Sequence, residues 1–120
     1  MKVLLDTNIL IDYLNGIVAA KTELDRYSQP LISVITWMEV LAGATSEEEG
    51  VVRDFLSRFD IIAINAAIAD KAVIIRRSKR IRLPDAIIQA TAHLEHALLV
   101  SRNTKDFPET EPWVRVPYKL

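Results

Sequence analysis

The sequence has no cysteine, which excludes disulfides, zinc–thiolate sites and a thiol nucleophile. It also has no apolar run of membrane-spanning length, so no membrane partner is expected. The first apolar run, Val3-Leu4-Leu5, stops at Asp6, far short of the core of a secretory signal. These absences suit a reducing cytosol, and a cytoplasmic location is expected. An excess of basic charge is missing too. The formal net charge is −1, so the molecule as a whole is not a polycation that coats nucleic acid. Any contact with nucleic acid must come from a local basic patch and bound cations. No low-complexity linker or internal repeat divides the 120 residues, and with half of them hydrophobic the chain can bury a core.

What is present alternates. Lys2–Leu5, Leu31–Val34, Ile61–Ile64, Ala97–Val100 and Trp113–Val116 read as short strands. Between them the pattern is helical: Thr7–Asn15, broken by Gly16; Val18–Tyr27, ended by Ser28-Gln29-Pro30; and Ile35–Ala42, closed by Gly43. The acidic run Glu47-Glu48-Glu49 opens a helix to about Arg58, with its acids where the helix dipole favours them. Ala66–Ser78 carries Ile68, Ala72 and Ile75 on one face. Pro84, read at a first helical position, begins a helix to about His96. Trp113–Val116, bracketed by Pro112 and Pro117, is expected at a sheet edge. Such alternation predicts one α/β domain over residues 1–120, a parallel sheet flanked by helices.

The acids sit at informative places. Asp6 directly follows the first strand, a good helix N-cap but also the carboxyl end of a parallel strand, where open α/β sheets hold ligands. Glu39, in Thr36-Trp37-Met38-Glu39, fits a capping box. Its neighbours Trp37, Met38, Val40 and Leu41 argue instead for a buried carboxylate, which needs a partner or a metal. Asp85 heads the apolar stretch Ala86-Ile87-Ile88; it suits the helix dipole, and at a buried helix end it needs a cation or several donors. Asn103 and Asp106 follow the strand Ala97–Val100, in a loop where both favour an Asx turn. Asp6, Glu39, Asp85 and Asp106 thus all fall where strands end or helices begin. Carboxylates gathered without Cys or a well-placed His are the donor set of a hard cation, Mg²⁺ or Mn²⁺. The chemistry that follows is phosphodiester hydrolysis. Packed carboxylates repel, so without metal at least one is expected to hold its proton.

With these residues assembled, the chain resembles a PIN-domain nuclease of the VapC toxin type. The resemblance is carried, in order, by Leu5-Asp6-Thr7-Asn8-Ile9-Leu10-Ile11-Asp12, Ser33 to Gly43, Leu83 to Ala92 with its Leu-Pro-Asp-Ala opening, and Arg102-Asn103-Thr104-Lys105-Asp106-Phe107. It implies a central parallel sheet of about five strands and Mg²⁺-dependent endoribonuclease activity, with Mn²⁺ able to substitute. It also implies an RNA substrate, a homodimer, and inhibition by a cognate antitoxin protein. Residue by residue, Asp6 and Asp85 match the metal-binding aspartates and Glu39 the glutamate of the site. The fourth acid falls on Asp106 or on the position of Asn103; Asp106 is taken, with Asn103 and Thr7 as supporting polar contacts.

Arg76-Arg77-Ser78-Lys79-Arg80-Ile81-Arg82 is the strongest basic run. It reads either as a solvated helix end or as an RNA-phosphate patch of Arg76, Arg77, Lys79, Arg80 and Arg82 beside Asp85. His93 and His96 read as ordinary histidines, and Trp37, Phe55, Phe59 and Trp113 as core. Tyr13 and the N-terminal helices are candidates for an antitoxin groove. Two other functions fit poorly. A receiver-type signalling module wants an Asp after a middle strand, where Ile61–Ile64 is followed by Asn65, and an Asp-x-Asp phosphatase lacks its second acid in Asp6-Thr7-Asn8. The alternative kept is a catalytically inactive PIN-like module that binds RNA or protein, against which the intact acids argue.

Overall fold

A computed structural model describes residues 1–120. The elements run β1 (Val3–Leu5), α1 (Thr7–Leu14), α2 (Val18–Asp25), β2 (Leu31–Ser33), α3 (Val34–Ala42), α4 (Glu49–Leu56), β3 (Asp60–Ile62), α5 (Ala66–Lys79), α6 (Leu83–Leu94), β4 (Leu98–Val100) and β5 (Val114–Arg115). The five strands form one sheet in the order β3-β2-β1-β4-β5, every pairing parallel. The expected α/β architecture is the one observed. No helix is long and apolar enough to cross a membrane.

The central strands β1, β2 and β4 are almost wholly apolar because both faces of the sheet are covered there. Leu4, Leu31 and Leu99 point into a core shared with Ile68, Ala72 and Ile75 of α5, with α6 and with Phe107. Their neighbours Val3, Leu5, Ile32 and Val100 point to the other face, onto Ile9 and Leu10 of α1, Val40 of α3 and Val52, Phe55 and Leu56 of α4. The period-two alternation of a strand therefore divides residues between two cores rather than between core and solvent.

Chain order gives the sheet its crevice. β1, β2 and β3 build outward in one direction, and the chain then crosses to lay β4 and β5 on the other side of β1. The carboxyl ends of β1 and β4 meet at this reversal, where such sheets bind ligands. The Asp6 amide donates to the Val100 carbonyl at 2.9 Å, which locks the two ends together.

Several element ends differ from the sequence reading. α6 begins at Leu83, so Pro84 is its second residue, and Arg82 is the cap. β3 begins at Asp60, where pairing with β2 sets the register rather than the β-branched run. α3 begins at Val34, capped by Ser33, whose hydroxyl accepts from the Ile35 amide. The capping box expected at Thr36–Glu39 is therefore absent there. A reciprocal pair of that kind lies at Thr45 and Glu48 instead, ahead of α4.

Candidate active site

Asp6 is the centre of the crevice. It leaves β1 in extended conformation and caps α1, its Oδ1 accepting the Thr7 amide at 2.8 Å. Its Oδ2 accepts the Ser101 hydroxyl at 2.6 Å and Asn8 Nδ2 at 3.2 Å. The capping reading and the strand-end reading are thus both satisfied by one side chain. Only 4% of Asp6 is exposed. Burial raises its pKa to about 6; the Ser101 and Thr7 hydrogen bonds pull it down, and the charges of Asp85 and Glu39 push it further up.

Glu39 lies in the second turn of α3, and its side chain is exposed rather than buried as its apolar neighbours suggested. It is tied to the crevice by Thr7, whose hydroxyl donates to Oε1 at 2.7 Å. That donation uses the only Thr7 hydroxyl hydrogen, so at 3.0 Å the Thr36 hydroxyl donates to Thr7. Thr36, buried in α3, is therefore the rear support of the Thr7–Glu39 contact.

Asp85 stands half-buried in the first turn of α6. Burial raises its pKa, the Asp106 charge adds to the rise, Arg82 opposes it, and Glu39 adds again. Asp106 and Asn103 form one unit: Asn103 Nδ2 donates to Asp106 Oδ2 at 3.0 Å, and the Asp106 amide donates to Asn103 Oδ1 at 3.2 Å. The Asx turn expected from sequence is present, and it aims Asp106 at the crevice. As placed, no group of three or more His, Cys, Asp or Glu side chains stands close enough to hold a metal ion. The arrangement is an open ring of carboxylates whose charges act on one another.

Sequence reading does not single out Ser101 or the role of Asn8. Ser101 Oγ donates to Asp6 and accepts the Asn103 amide at 2.9 Å and Asn8 Nδ2 at 3.3 Å. Its position directly after a strand, beside the already suspect Asn103, is the signal that could have found it. Asn8 Oδ1 in turn accepts the Arg102 amide. Further back, buried Asp12 holds the Arg102 guanidinium with both oxygens and accepts the Tyr118 hydroxyl. Burial alone would raise the Asp12 pKa, but Arg102 and Tyr118 outweigh it and hold it low.

The basic run divides. Arg76, Arg77, Arg80 and Arg82 are exposed, with Arg82 close enough to Asp85 to act on its charge. Lys79 is used differently: its ammonium donates to Gln89 Oε1 at 2.7 Å and to the Asp106 carbonyl at 2.9 Å. A separate groove of about 570 Å³ runs between α1, α3 and α4, lined by Ile11, Leu14, Val40 and Val51 together with Glu39 and Glu48. Tyr13 is not part of it and stacks instead on Phe55.

The family model described as PIN domain matches residues 3–111. The chain belongs to the PIN-domain family. This PIN domain is 34% identical over 117 residues to Ribonuclease VapC10 of Mycobacterium tuberculosis, a match covering 91% of this chain and 88% of the relative. Its structure is similar to a chain of the toxin–antitoxin complex from Klebsiella pneumoniae, with 47% identity, a TM-score of 0.92, and coverage of 98% and 99%. It is also similar to a chain of VapBC2 from Rickettsia felis bound to a DNA fragment from their promoter, with 26% identity, a TM-score of 0.79, and coverage of 95% and 96%. The resemblance read from the sequence is therefore correct: this is a PIN domain of the VapC type.

Proposed function

We propose that this PIN domain is the toxin of a toxin–antitoxin pair, a Mg²⁺-dependent endoribonuclease of the cytoplasm that works as a homodimer and is held inactive by a cognate antitoxin. One observation carries the catalytic part. Asp6 is buried against the charges of Asp85 and Glu39, and no basic side chain is among the groups that act on it. Such a concentration of negative charge is costly to keep ionised, and a bound cation relieves it.

The donor set suits Mg²⁺, with Mn²⁺ as substitute. It consists of oxygens only, and Mg²⁺ keeps several waters while taking one or two carboxylates, so an open ring fits better than a closed cage. Asp6 and Asp85 would hold the ion directly, with Glu39 and Asp106 completing the shell. A bound Mg²⁺ would supply an activated water, neutralise the phosphate and stabilise the leaving oxygen. The chain's own residues do the rest. Ser101 and the Thr7 amide hold Asp6 ionised, Thr7 fixes the Glu39 carboxylate, and Asn103 fixes that of Asp106. Arg76, Arg77, Arg80 and Arg82 would take RNA phosphates, so a protein of net charge −1 could still hold its substrate. The groove beside Glu39, lined by apolar Ile11, Leu14, Val40 and Val51 together with Glu39 and Glu48, suits an amphipathic antitoxin segment.

The test is cleavage of structured RNA by purified, antitoxin-free protein in Mg²⁺, against EDTA and against Asp6→Ala and Asp85→Ala. Each change should lower the rate by a hundredfold or more, on the order expected for lost charge stabilisation at a metal centre. Cleavage indifferent to all three would remove the mechanism. Toxicity on expression, relieved by the same substitutions, checks the toxin role.

A further inference from the structure

The turn that carries Asp106 is held from two sides. Asn103 holds the carboxylate, and the Phe107 amide donates to the Asn103 carbonyl at 3.0 Å. On the far side stands Lys79, the last residue of α5. Its ammonium donates to the Asp106 carbonyl and to Gln89 Oε1, and lies over the rings of Phe107 at 5.6 Å and Trp113 at 5.5 Å. Gln89 is buried on α6, with its Nε2 3.2 Å from His93 Nε2. The three donors of the ammonium are thus directed at a side-chain amide, a main-chain carbonyl and aromatic faces. Lys79 is exposed like the arginines around it, but its ammonium is held by these contacts.

This placement opposes a definite force. Asp106 and Asp85 are like charges close enough to act on each other. With both ionised their repulsion pushes the turn away from α6, whereas with one protonated a hydrogen bond joins the two carboxyls. We propose that Lys79 is a positioning residue for the carboxylate ring: it clamps the main chain of Asp106 to α5 and α6 and keeps that carboxylate facing Asp85 before any metal binds. The proposal rests on the reading of Asp106 as a site carboxylate. Holding the ring together in advance leaves less ordering to be done when the ion arrives, so the clamp acts on metal affinity more than on the chemical step.

The test uses the full-length, antitoxin-free protein. Lys79→Met should weaken Mn²⁺ binding, followed by the EPR signal of free Mn²⁺, on the order of tenfold, the scale of one lost hydrogen bond from a charged donor. In metal-free protein the same substitution should speed amide exchange at Asp106 and Phe107 by a similar factor. Lys79→Gln, which keeps an N–H for the carbonyl, should recover part of both losses and carries the test if Lys79→Met does not fold. In an Asp106→Ala background Lys79→Met should cost no further Mn²⁺ affinity. Unchanged exchange at Asp106 and Phe107, or a loss of affinity that persists in that background, overturns the proposal. If Asp106→Ala alone leaves Mn²⁺ binding and cleavage intact, the assignment of Asp106 fails and the proposal with it; the exchange data still show whether Lys79 holds the turn.

Discussion

The Ser101 hydroxyl reaches Asp6 across 95 positions of sequence, donating to Oδ2 at 2.6 Å. One residue directly follows β1 and the other directly follows β4, so the parallel pairing of these strands is what creates the contact. Burial drives the Asp6 pKa up to about 6, and this hydrogen bond is the largest interaction resisting that rise. Ser101 therefore helps decide at what pH the centre of the ring is ionised.

Replacing Ser101 by Ala should raise the Asp6 pKa above its value of about 6. The acid limb of the RNA-cleavage profile should move to higher pH, with the rate on the alkaline side little changed. The Asn103 amide and Asn8 Nδ2 also lose an acceptor. Urea unfolding should show a loss of about 1–3 kcal/mol. An unshifted acid limb would mean that Asp6 is not the group that titrates there.

The metal-free protein should lose stability between about pH 4 and 6. Asp6 has its pKa raised from 3.8 to about 6 in the folded state. Between those values the folded chain binds a proton that the unfolded chain has released, so this group's stabilisation is full below 3.8 and lost as pH rises through about 6. A shift of this size corresponds to a loss on the order of 3 kcal/mol. Asp12 and Glu23, held low by Arg102 and Arg115, act in the opposite sense and lose their contribution as pH falls. The clean comparison is with Asp6→Asn, which should abolish the Asp6 part of the slope and be the more stable protein at pH 7.5 in EDTA. Mg²⁺ should stabilise the wild type at that pH and leave the variant unmoved. Identical urea midpoints for both, across pH and Mg²⁺, would contradict the argument.

Arg102→Leu should destabilise the fold through Asp12. Asp12 is buried, and its two oxygens are taken up by Arg102 and Tyr118. Fully buried pairs cost about 3–5 kcal/mol when one partner is removed. The Arg102 side chain is 28% exposed, which brings the expectation down to about 2 kcal/mol. Tyr118→Phe should cost about 1 kcal/mol. Both are read by denaturant titration, and Arg102→Leu combined with Asp12→Leu should recover part of the loss.

Charge reversal at Arg77 and Arg80 should weaken RNA binding uniformly across sequences. Each lost phosphate contact lowers the slope of log K against log salt by about 0.7 for single-stranded RNA. Unchanged affinity and slope would remove the basic patch from the mechanism. Arg80 provides an internal control, because it ends α5 in the left-handed region at φ 56°. Arg80→Gly should raise stability by up to about 1 kcal/mol while still losing RNA affinity.

How much of this was legible depends on the range of the interaction. The strands Val3–Leu5, Leu31–Ser33 and Leu98–Val100 announce themselves because burial on both faces makes them apolar but for Ser33. Asp6 and Asp85 are visible because apolar runs lead up to or away from them. Glu39 was harder. Val34 is β-branched and reads as the end of a strand, which hides the true cap at Ser33 and moves the apparent helix start to Ile35. Strand β3 is an exposed edge with little burial to mark its ends, so its bounds follow from pairing with β2 alone. Ser101, the Asp12–Arg102–Tyr118 group and the Lys79 clamp depend on chain separations that no local pattern encodes. Lys79 in particular sits inside a run of like charges and has nothing in its own neighbourhood to distinguish it.

The chain reversal that lays β4 beside β1 also sets a timetable. During synthesis β1, β2 and β3 emerge in order and can assemble, but the other edge of β1 stays open until residues 98–100 are made. Ser101 and the Asp106 turn come later still. A nascent chain without them therefore has neither the hydroxyl that donates to Asp6 nor the fourth carboxylate of the proposed site.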